Sequence, residues 1–254
     1  MDIVLLGSGN VATSLAKALH AAGERLLQVY SPNIEHAVLL ADQVEADGIS
    51  NLAEVIRHAD LYIICVKDGA IGQVAQSLTH VSGLVVHTSG TTDLKALSNH
   101  LKRAGVFYPL QTFSKSRLVP LYDVPLCLES NSGDDLSILT ALAGRLSCRV
   151  YELDGEKRKV LHLSAVFACN FPNHLYALAA EVLQQSGLDF DIIRPLIRET
   201  ADKVMVNMPL DVQTGPSVRK DESTVNKHLS MLNNLPHLQE IYQTLSNSIK
   251  LTHK

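Results

Sequence analysis

Three groups of residues in this chain have types and spacings that could carry chemistry. The first is Gly7-Ser8-Gly9-Asn10-Val11-Ala12, which follows an apolar run and precedes a helical pattern. In such a turn the first glycine permits the bend, the second lets the backbone approach a pyrophosphate, and the small third residue lets the helix pack on the strand. The motif predicts a nucleotide site formed by Gly7, Gly9, Asn10 and Val11, where free N–H groups at the helix start bind phosphate. The alternative is a purely structural turn.

The second group is a stripe of residues that recur every four positions in a long helical segment: His162, Val166, Asn170 and His174. Pro172 cannot donate a backbone hydrogen bond, which predicts a kink beside Asn170. Polar groups on an apolar helix are costly unless they are paired or line a wet cavity. Two interpretations stay open. The stripe forms interhelical hydrogen bonds in a dimer core, or it is catalytic, with His162 as general acid and Asn170 as an orienting donor.

The third group lies near the end of the chain, in the segment Thr214 to Asp221. It joins a Gly-Pro turn to Arg219, whose guanidinium could bind a substrate carboxylate or phosphate with two hydrogen bonds. The alternative is a loop that enters a helix, with Asp221 as the N-cap of the helix that carries Thr224 and His228.

The elements that must position these groups follow from the periodicity of apolar residues. Strands are predicted at 3–6, 26–30, 61–66, 84–87, 105–108, 125–128 and 149–151, and helices at about 11–22, 34–43, 51–58 and 93–103. Alternating strands and helices indicate an α/β fold, a doubly wound and mostly parallel Rossmann-type sheet, over residues 1–153. Residues 154–254 are predicted to form a smaller all-helical C-terminal domain, with helices at 156–185, 189–206, 221–234 and 237–250.

The end of the second strand indicates which dinucleotide binds. An acidic residue usually ends this strand in NAD-binding proteins, and here the sequence is Tyr-Ser-Pro-Asn, at 30–33. Ser31 and Asn33 can donate hydrogen bonds to a 2′-phosphate and no carboxylate repels it, so the sequence favours NADP. The same absence of an acid argues against a methyltransferase. The alternative is that these residues only form a turn.

Ligands of an open parallel sheet bind beyond the carboxyl ends of its strands. The loops there are therefore predicted to place Val66, Lys67, Asp68 and Ile71 beside the adenosine ribose and pyrophosphate, and Ser89 and Gly90 near the nicotinamide. Asp68 has the alternative of capping a helix, and Lys67 that of an ordinary solvated side chain.

Composition excludes several other classes. The chain has 254 residues, 46% of them hydrophobic, with a net charge of −4 and no basic cluster, so neither nucleic acid nor a membrane surface is an expected partner. The four cysteines stand singly in apolar runs, which predicts buried, reduced thiols in a cytoplasmic protein and no metal site. No signal peptide is expected. Residues 160–180 are uncharged but contain too many polar residues for a membrane span, so they predict a buried helix and a homodimer that packs through the helical domain.

Several motifs together resemble a known family: the N-terminal glycine turn, Val66 to Ile71, His87 to Gly90, Tyr108 to Phe113, Asn170, and Thr214 to Asp221. The chain is similar to Rossmann-like proteins with a C-terminal helical domain of unknown function, described as NADP- or deazaflavin-dependent oxidoreductases. These are related in architecture to pyrroline-5-carboxylate reductase, ketopantoate reductase and the β-hydroxyacid dehydrogenases. Relatives tend to carry histidine where this chain has Tyr108, and glycine where it has Lys220.

The resemblance implies an oxidoreductase that uses NADP (NADPH) to transfer a hydride to or from a small, anionic metabolite at a C=O or C=N group. A deazaflavin would be a bulkier substrate for the same cleft. Tyr108 is not expected to be catalytic, because a phenol has a much higher pKa than the imidazole that it replaces. The rival interpretation is a non-catalytic, dinucleotide-binding or redox-sensing dimer.

Overall fold

The protein has two compact units, Met1–Asn170 and Phe171–Lys254, in a computed structural model that describes residues 1–253. The first unit contains one eight-stranded sheet, and the α/β fold is confirmed. Its strands are β1 (Asp2–Leu6), β2 (Arg25–Tyr30), β3 (Asp47–Ile49), β4 (Leu61–Ile64), β5 (Leu84–His87), β6 (Ala104–Pro109), β7 (Leu126–Ser130) and β8 (Val150–Glu152). Their order is β3-β2-β1-β4-β5-β6-β7-β8. All pairs are parallel except β6 with β7.

The helices of the first unit pack on this sheet. They are α1 (Asn10–Ala21), α2 (Ile34–Ala41), α3 (Ile71–Ser77), α4 (Lys95–Ser98), α5 (Gly133–Leu146) and α6 (Gly155–Ala165). Alternate residues of a strand face opposite sides of the sheet, so Ile3 and Leu5 enter one core while Val4 and Leu6 enter the other. The central strands β1, β4 and β5 are covered on both faces, as their continuous apolar runs predict.

A π-type turn, Val166–Asn170, follows α6. Pro172 predicts a kink beside Asn170, and the structure shows a π-type turn that ends at that residue. The second unit is helical, with α7 (Phe171–Gln185), α8 (Arg194–Val206), α9 (Glu222–Met231) and α10 (Pro236–Thr252). The domain boundary between residues 153 and 154 falls between β8 and α6, and it stays a prediction.

Several elements differ from those predicted, among them β3, which was not predicted. The helix predicted at 51–58 is only a three-residue 3₁₀ segment, Leu52–Glu54. The side chain of Gln28 donates to the carbonyl of Glu54 and accepts from the N–H of Ile56, so a strand residue satisfies backbone groups that a longer helix would pair. The helix predicted at 93–103 shortens to Lys95–Ser98, and α5 was not predicted.

The prediction of four buried thiols is wrong for two of them. Cys65 and Cys127 are buried in or beside strands, whereas Cys148 and Cys169 are exposed. Cys169 lies in the π-type turn. The apolar run around it did not indicate which side of the helix would be buried, so its exposure was not predicted. All four are unpaired. Within residues 1–253, no helix is long and apolar enough to cross a membrane.

Candidate functional site

The two glycines of the N-terminal turn have different surroundings. Gly7 has a φ of +137°, and a Cβ atom there would lie 2.3 Å from the carbonyl oxygen of Cys65, at the end of the neighbouring β4 strand. Protein packing alone therefore demands this glycine. Gly9 is the N-cap of α1, and a Cβ atom there would meet no atom within 4 Å. The space over Gly9 is open, so only a bound group would exclude a side chain from it.

The start of α1 is suited to an anion. No side chain caps it and its first turn contains no acidic residue, so its N–H groups and the positive end of the helix dipole are not neutralised. Gly9 and Asn10 are exposed. The turn therefore fits the pyrophosphate of a dinucleotide in shape and in charge.

The residues at the end of β2 form a small polar cluster. The Ser8 hydroxyl donates to the Ser31 hydroxyl at 3.0 Å, which links the glycine turn to this strand end. Asn33 caps α2, because its side-chain oxygen accepts from the N–H of Glu35 at 2.9 Å. The oxygen of the Asn33 side chain is therefore engaged in capping α2. The hydroxyl hydrogen of Ser31 and the amide nitrogen of Asn33 are still suitable donors for a 2′-phosphate.

The loop after β4 contains four residues that were predicted to lie beside the cofactor, and they differ in how exposed their side chains are. Lys67 and Asp68 are exposed and Val66 is half-buried. The Asp68 carboxylate accepts a hydrogen bond from the Thr91 hydroxyl at 2.6 Å. Asp68 is itself the first residue of a 3₁₀ segment, so the alternative interpretation, in which its side chain caps a helix, is wrong. Ile71 is buried in the core against the sheet, so its side chain packs with the protein.

The loop after β5 is held by its own side chains. The Ser89 hydroxyl accepts from the N–H groups of Thr91 at 3.1 Å and Thr92 at 3.0 Å. The Ser89 N–H donates to Nδ1 of His87 at 3.2 Å. His87 is fully buried, and burial, together with the nearby charge of Arg158, lowers its pKa to about 4. This loop is therefore built around a neutral imidazole.

The structure brings His162 and Gly90 together. A Cβ atom at Gly90 would lie 2.7 Å from Nδ1 of His162 and 2.8 Å from Cζ of Tyr108. The Tyr108 hydroxyl and His162 Nδ1 are 3.0 Å apart. The glycine predicted to face the nicotinamide thus packs directly on a tyrosine–histidine pair, contributed by β6 and α6.

A fully buried arginine fixes α6 to this site, and sequence reasoning missed it. Arg158 pairs with the Glu129 carboxylate on β7 and donates to the carbonyl of Thr92 at 2.6 Å. It precedes His162 by four residues, so both lie on one face of α6. That spacing was the available signal. Arg158 therefore joins the strand β7, the loop after β5 and the helix that carries His162.

The other two predicted catalytic residues are on the surface. Asn170 is exposed at the end of the π-type turn, and no hydrogen bond to His162 is present within the described chain. Arg219 is exposed in a loop of the second unit. In that loop the Asp221 carboxylate accepts from the N–H of Thr224 at 3.0 Å, so the predicted N-cap of α9 is confirmed. Lys220 has a φ of +55°, a left-handed backbone conformation that favours glycine.

These features define a class of protein. The doubly wound sheet has its switch point between β1 and β4, and the glycine turn lies at that point, as in Rossmann-type dinucleotide-binding proteins. The chain belongs to a family of NADP oxidoreductase-like proteins with a C-terminal domain of unknown function. Residues 2–89 match the family described as "NADP oxidoreductase coenzyme F420-dependent", and residues 124–249 match "Domain of unknown function (DUF2520)".

Individual relatives agree with this assignment. The crystal structure of the "putative NADP oxidoreductase BF3122" from Bacteroides fragilis is 48% identical, with a TM-score of 0.94, and the match covers 98% of this chain and 97% of that chain. Pyrroline-5-carboxylate reductase from Pseudomonas aeruginosa is 32% identical over 78 residues, which are 30% of this chain and 29% of that enzyme. An imine reductase from Myxococcus stipitatus, solved with NADP+, shares the fold at 13% identity, with a TM-score of 0.67 and coverage of 98% and 92%.

Proposed function

We propose that this protein is an NADP-dependent oxidoreductase that transfers a hydride to or from a small, anionic metabolite at a C=O or C=N group. The open backbone at Gly9 carries the proposal, because an uncapped helix start beside an unobstructed glycine fits a pyrophosphate. NADPH, when bound, supplies the hydride. The similarity to pyrroline-5-carboxylate reductase, whose name gives a cyclic imine with a carboxylate, supports the C=N class.

The chain's own residues bind the cofactor along the ends of β1, β2, β4 and β5. Gly9, Asn10 and Val11 hold the pyrophosphate through backbone N–H groups. Gly7 permits the turn that presents them, and its own N–H donates to the carbonyl of Tyr30 at 2.8 Å. Ser31 and Asn33 donate to the 2′-phosphate. Val66, Lys67 and Asp68 border the ribose, and Ser89 and Gly90 border the nicotinamide. The buried side chain of Ile71 supports this loop from beneath.

The residues proposed to act on the substrate are His162 in α6, Asn170 at the end of the π-type turn and Arg219 in the loop before α9. His162 lies against Gly90 and is the general acid, which gives a proton to the substrate oxygen or nitrogen that receives negative charge. Asn170 orients the substrate by a hydrogen bond. Arg219 binds the anionic group of the substrate with its guanidinium.

The test of this function is Gly9→Ala. NADPH at one hundred times its Kd should stabilise the unaltered protein by about 2.7 kcal/mol and raise its Tm by about 5 to 10 °C. We expect Gly9→Ala to remove most of this shift, because the methyl group occupies space that only the ligand would fill. The measurement is thermal unfolding with NADPH and with NADH, and NADH should give a smaller shift.

Gly144→Ala is the matched control, since a Cβ atom there also meets nothing within 4 Å but the position lies inside α5. It should keep the full NADPH shift. An undiminished shift in Gly9→Ala, or no shift in the unaltered protein, contradicts the proposed site. If NADPH binds and yet no keto acid or cyclic imine carboxylate is reduced, the protein is the non-catalytic dinucleotide-binding or redox-sensing dimer.

We further propose that the protein is a cytoplasmic homodimer that packs through its helical domain. The helices α7 and α8 contain no buried residue, and Met205 and Val206 are 80% and 82% exposed. Apolar groups this exposed are normally covered by a partner, and a second copy of the chain can cover them symmetrically. The four unpaired thiols suit a reducing compartment.

Light scattering after size-exclusion chromatography should give about twice the chain mass of 27.7 kDa. We expect Val206→Glu to shift the protein towards the monomer, because it places a charge in the covered surface. A monomer at micromolar concentration in the unaltered protein contradicts this proposal.

A further inference from the structure

The hydrogen bond between Tyr108 and His162 has a geometry that decides which atoms it uses. Oη of Tyr108 lies 3.0 Å from Nδ1 of His162. The two ring centroids are 6.1 Å apart and the ring planes are inclined at 58°. At this distance and tilt the rings do not stack, so the contact is a hydrogen bond through the hydroxyl group. Gly90 packs on both rings and leaves no space for a side chain that would separate them.

The direction of this hydrogen bond follows from the surroundings of Tyr108. The tyrosine is buried, and burial raises its pKa to about 12, so its hydroxyl keeps its hydrogen at neutral pH. Nδ1 of His162 is the one hydrogen-bond partner of that hydroxyl among residues 1–253. If Nδ1 donated instead, the phenol hydrogen would have no acceptor among the described residues, which is costly in a side chain whose residue is only 8% exposed. The hydroxyl therefore donates and Nδ1 accepts.

We infer that Tyr108 is a positioning residue that holds His162 in the tautomer with its proton on Nε2. A neutral imidazole carries one proton, so a ring that accepts at Nδ1 must carry the proton at Nε2. Nε2 makes no hydrogen bond within the described residues, and His162 is half-buried rather than enclosed. This inference rests on the proposed function for its purpose, because it leaves Nε2, and not Nδ1, as the nitrogen that is free to exchange a proton with the substrate.

The anchoring of α6 makes this arrangement rigid. Arg158, four residues before His162, is fixed to Glu129 and to the carbonyl of Thr92. Thr92 belongs to the same loop as Gly90, so the Arg158 side chain joins α6 to β7 by an ion pair and to this loop by a hydrogen bond. Because Arg158 anchors α6, the hydroxyl of Tyr108 has only to select the tautomer of His162 and does not have to hold the helix in place.

The experiment is nitrogen NMR of the full-length protein with ¹⁵N-labelled histidine, without any cofactor, at a pH where the His162 ring is neutral. His162→Gln identifies the two ring resonances by their loss. We expect the Nδ1 resonance at the position of an unprotonated nitrogen and the Nε2 resonance at that of a protonated one. In Tyr108→Phe, which keeps the ring and removes only the hydroxyl, both resonances should move towards the average of two exchanging tautomers.

Tyr122→Phe is the control, since the Tyr122 side chain is exposed, and it should leave both resonances in place. A protonated Nδ1 in the unaltered protein overturns the inference, and so does a Tyr108→Phe spectrum in which the His162 resonances do not move. The unaltered protein's spectrum alone decides the direction of the bond if Tyr108→Phe fails to fold. If NADPH does not raise the Tm, the proposed function fails, but the tautomer of His162 can still be measured. If His162 carries its proton on Nδ1, the inference fails, but nucleotide binding is not affected.

Discussion

Arg158→Met is expected to lower the free energy of unfolding by about 3 kcal/mol, near the lower end of the range for breaking a buried ion pair. The guanidinium is fully buried, and its loss leaves the Glu129 carboxylate and the Thr92 carbonyl without their donor. The Glu129 side chain is 21% exposed, so water can hydrate part of the charge that remains. The expected loss in free energy of unfolding is therefore near the lower end of the range. Urea denaturation of the full chain, followed by circular dichroism, measures the change.

Two variants separate the ion pair from general effects of losing an arginine. Arg149→Met removes an exposed arginine that lies 3.7 Å from Asp123 and should cost at most about 1 kcal/mol. The double variant Arg158→Met with Glu129→Gln should be more stable than the sum of the single changes predicts, because no unpaired carboxylate is left. Equal losses for Arg158→Met and Arg149→Met would show that the buried pair is not stabilising.

The partners of Arg158 illustrate what the sequence could not reveal, although its spacing from His162 does place both residues on one helix face. It lies between Lys157 and Lys159, and such a basic run is typical of a solvated helix face. Its partner, Glu129, is 29 residues earlier in the chain, at a strand end that is brought near only when β7 joins the sheet. The pairing of Tyr108 with His162 spans 54 residues and was missed for the same reason. Local patterns do not encode contacts of this kind.

The predictions that hold are those with local causes. The glycine turn, the continuous apolar strands and the cap at Asp221 each depend on residues within a few positions of one another. The helix α5 was missed although Ser132 caps it through the N–H of Asp135, a signal that the sequence does contain. By contrast, the antiparallel pairing of β6 with β7 is set by long-range packing and leaves no local trace.

The site shows the same division between local and long-range causes. Gly9 and Gly90 could be selected from their motifs, and His162 from its helical stripe. The motifs did not reveal that Gly7 is fixed by Cys65, or that Gly90 is fixed by Tyr108 and His162, because these are packing contacts between separate elements. Ile71 was selected by its place in the loop, but it is the first residue of α3 and its side chain is buried in the core.

The second large effect concerns acid stability and His87. Its pKa is about 4 in the folded protein, against 6.5 for an unperturbed histidine, because burial and the charge of Arg158 disfavour the imidazolium. Between these two values the unfolded chain binds more protons than the folded one, so stability rises with pH. The contribution is complete above about pH 6.5 and is lost as the pH falls to about 4. Its full size is about 3 kcal/mol, from a difference of about 2.5 pKa units.

His87→Asn should remove this dependence, because asparagine keeps an acceptor for the Ser89 N–H but does not titrate. We expect the free energy of unfolding of the unaltered protein to fall by about 3 kcal/mol more than that of His87→Asn between about pH 7 and about pH 4, in parallel urea titrations. Equal slopes for the unaltered protein and His87→Asn would mean that His87 is not held neutral, and that the loop of Ser89 and Gly90 tolerates a buried charge.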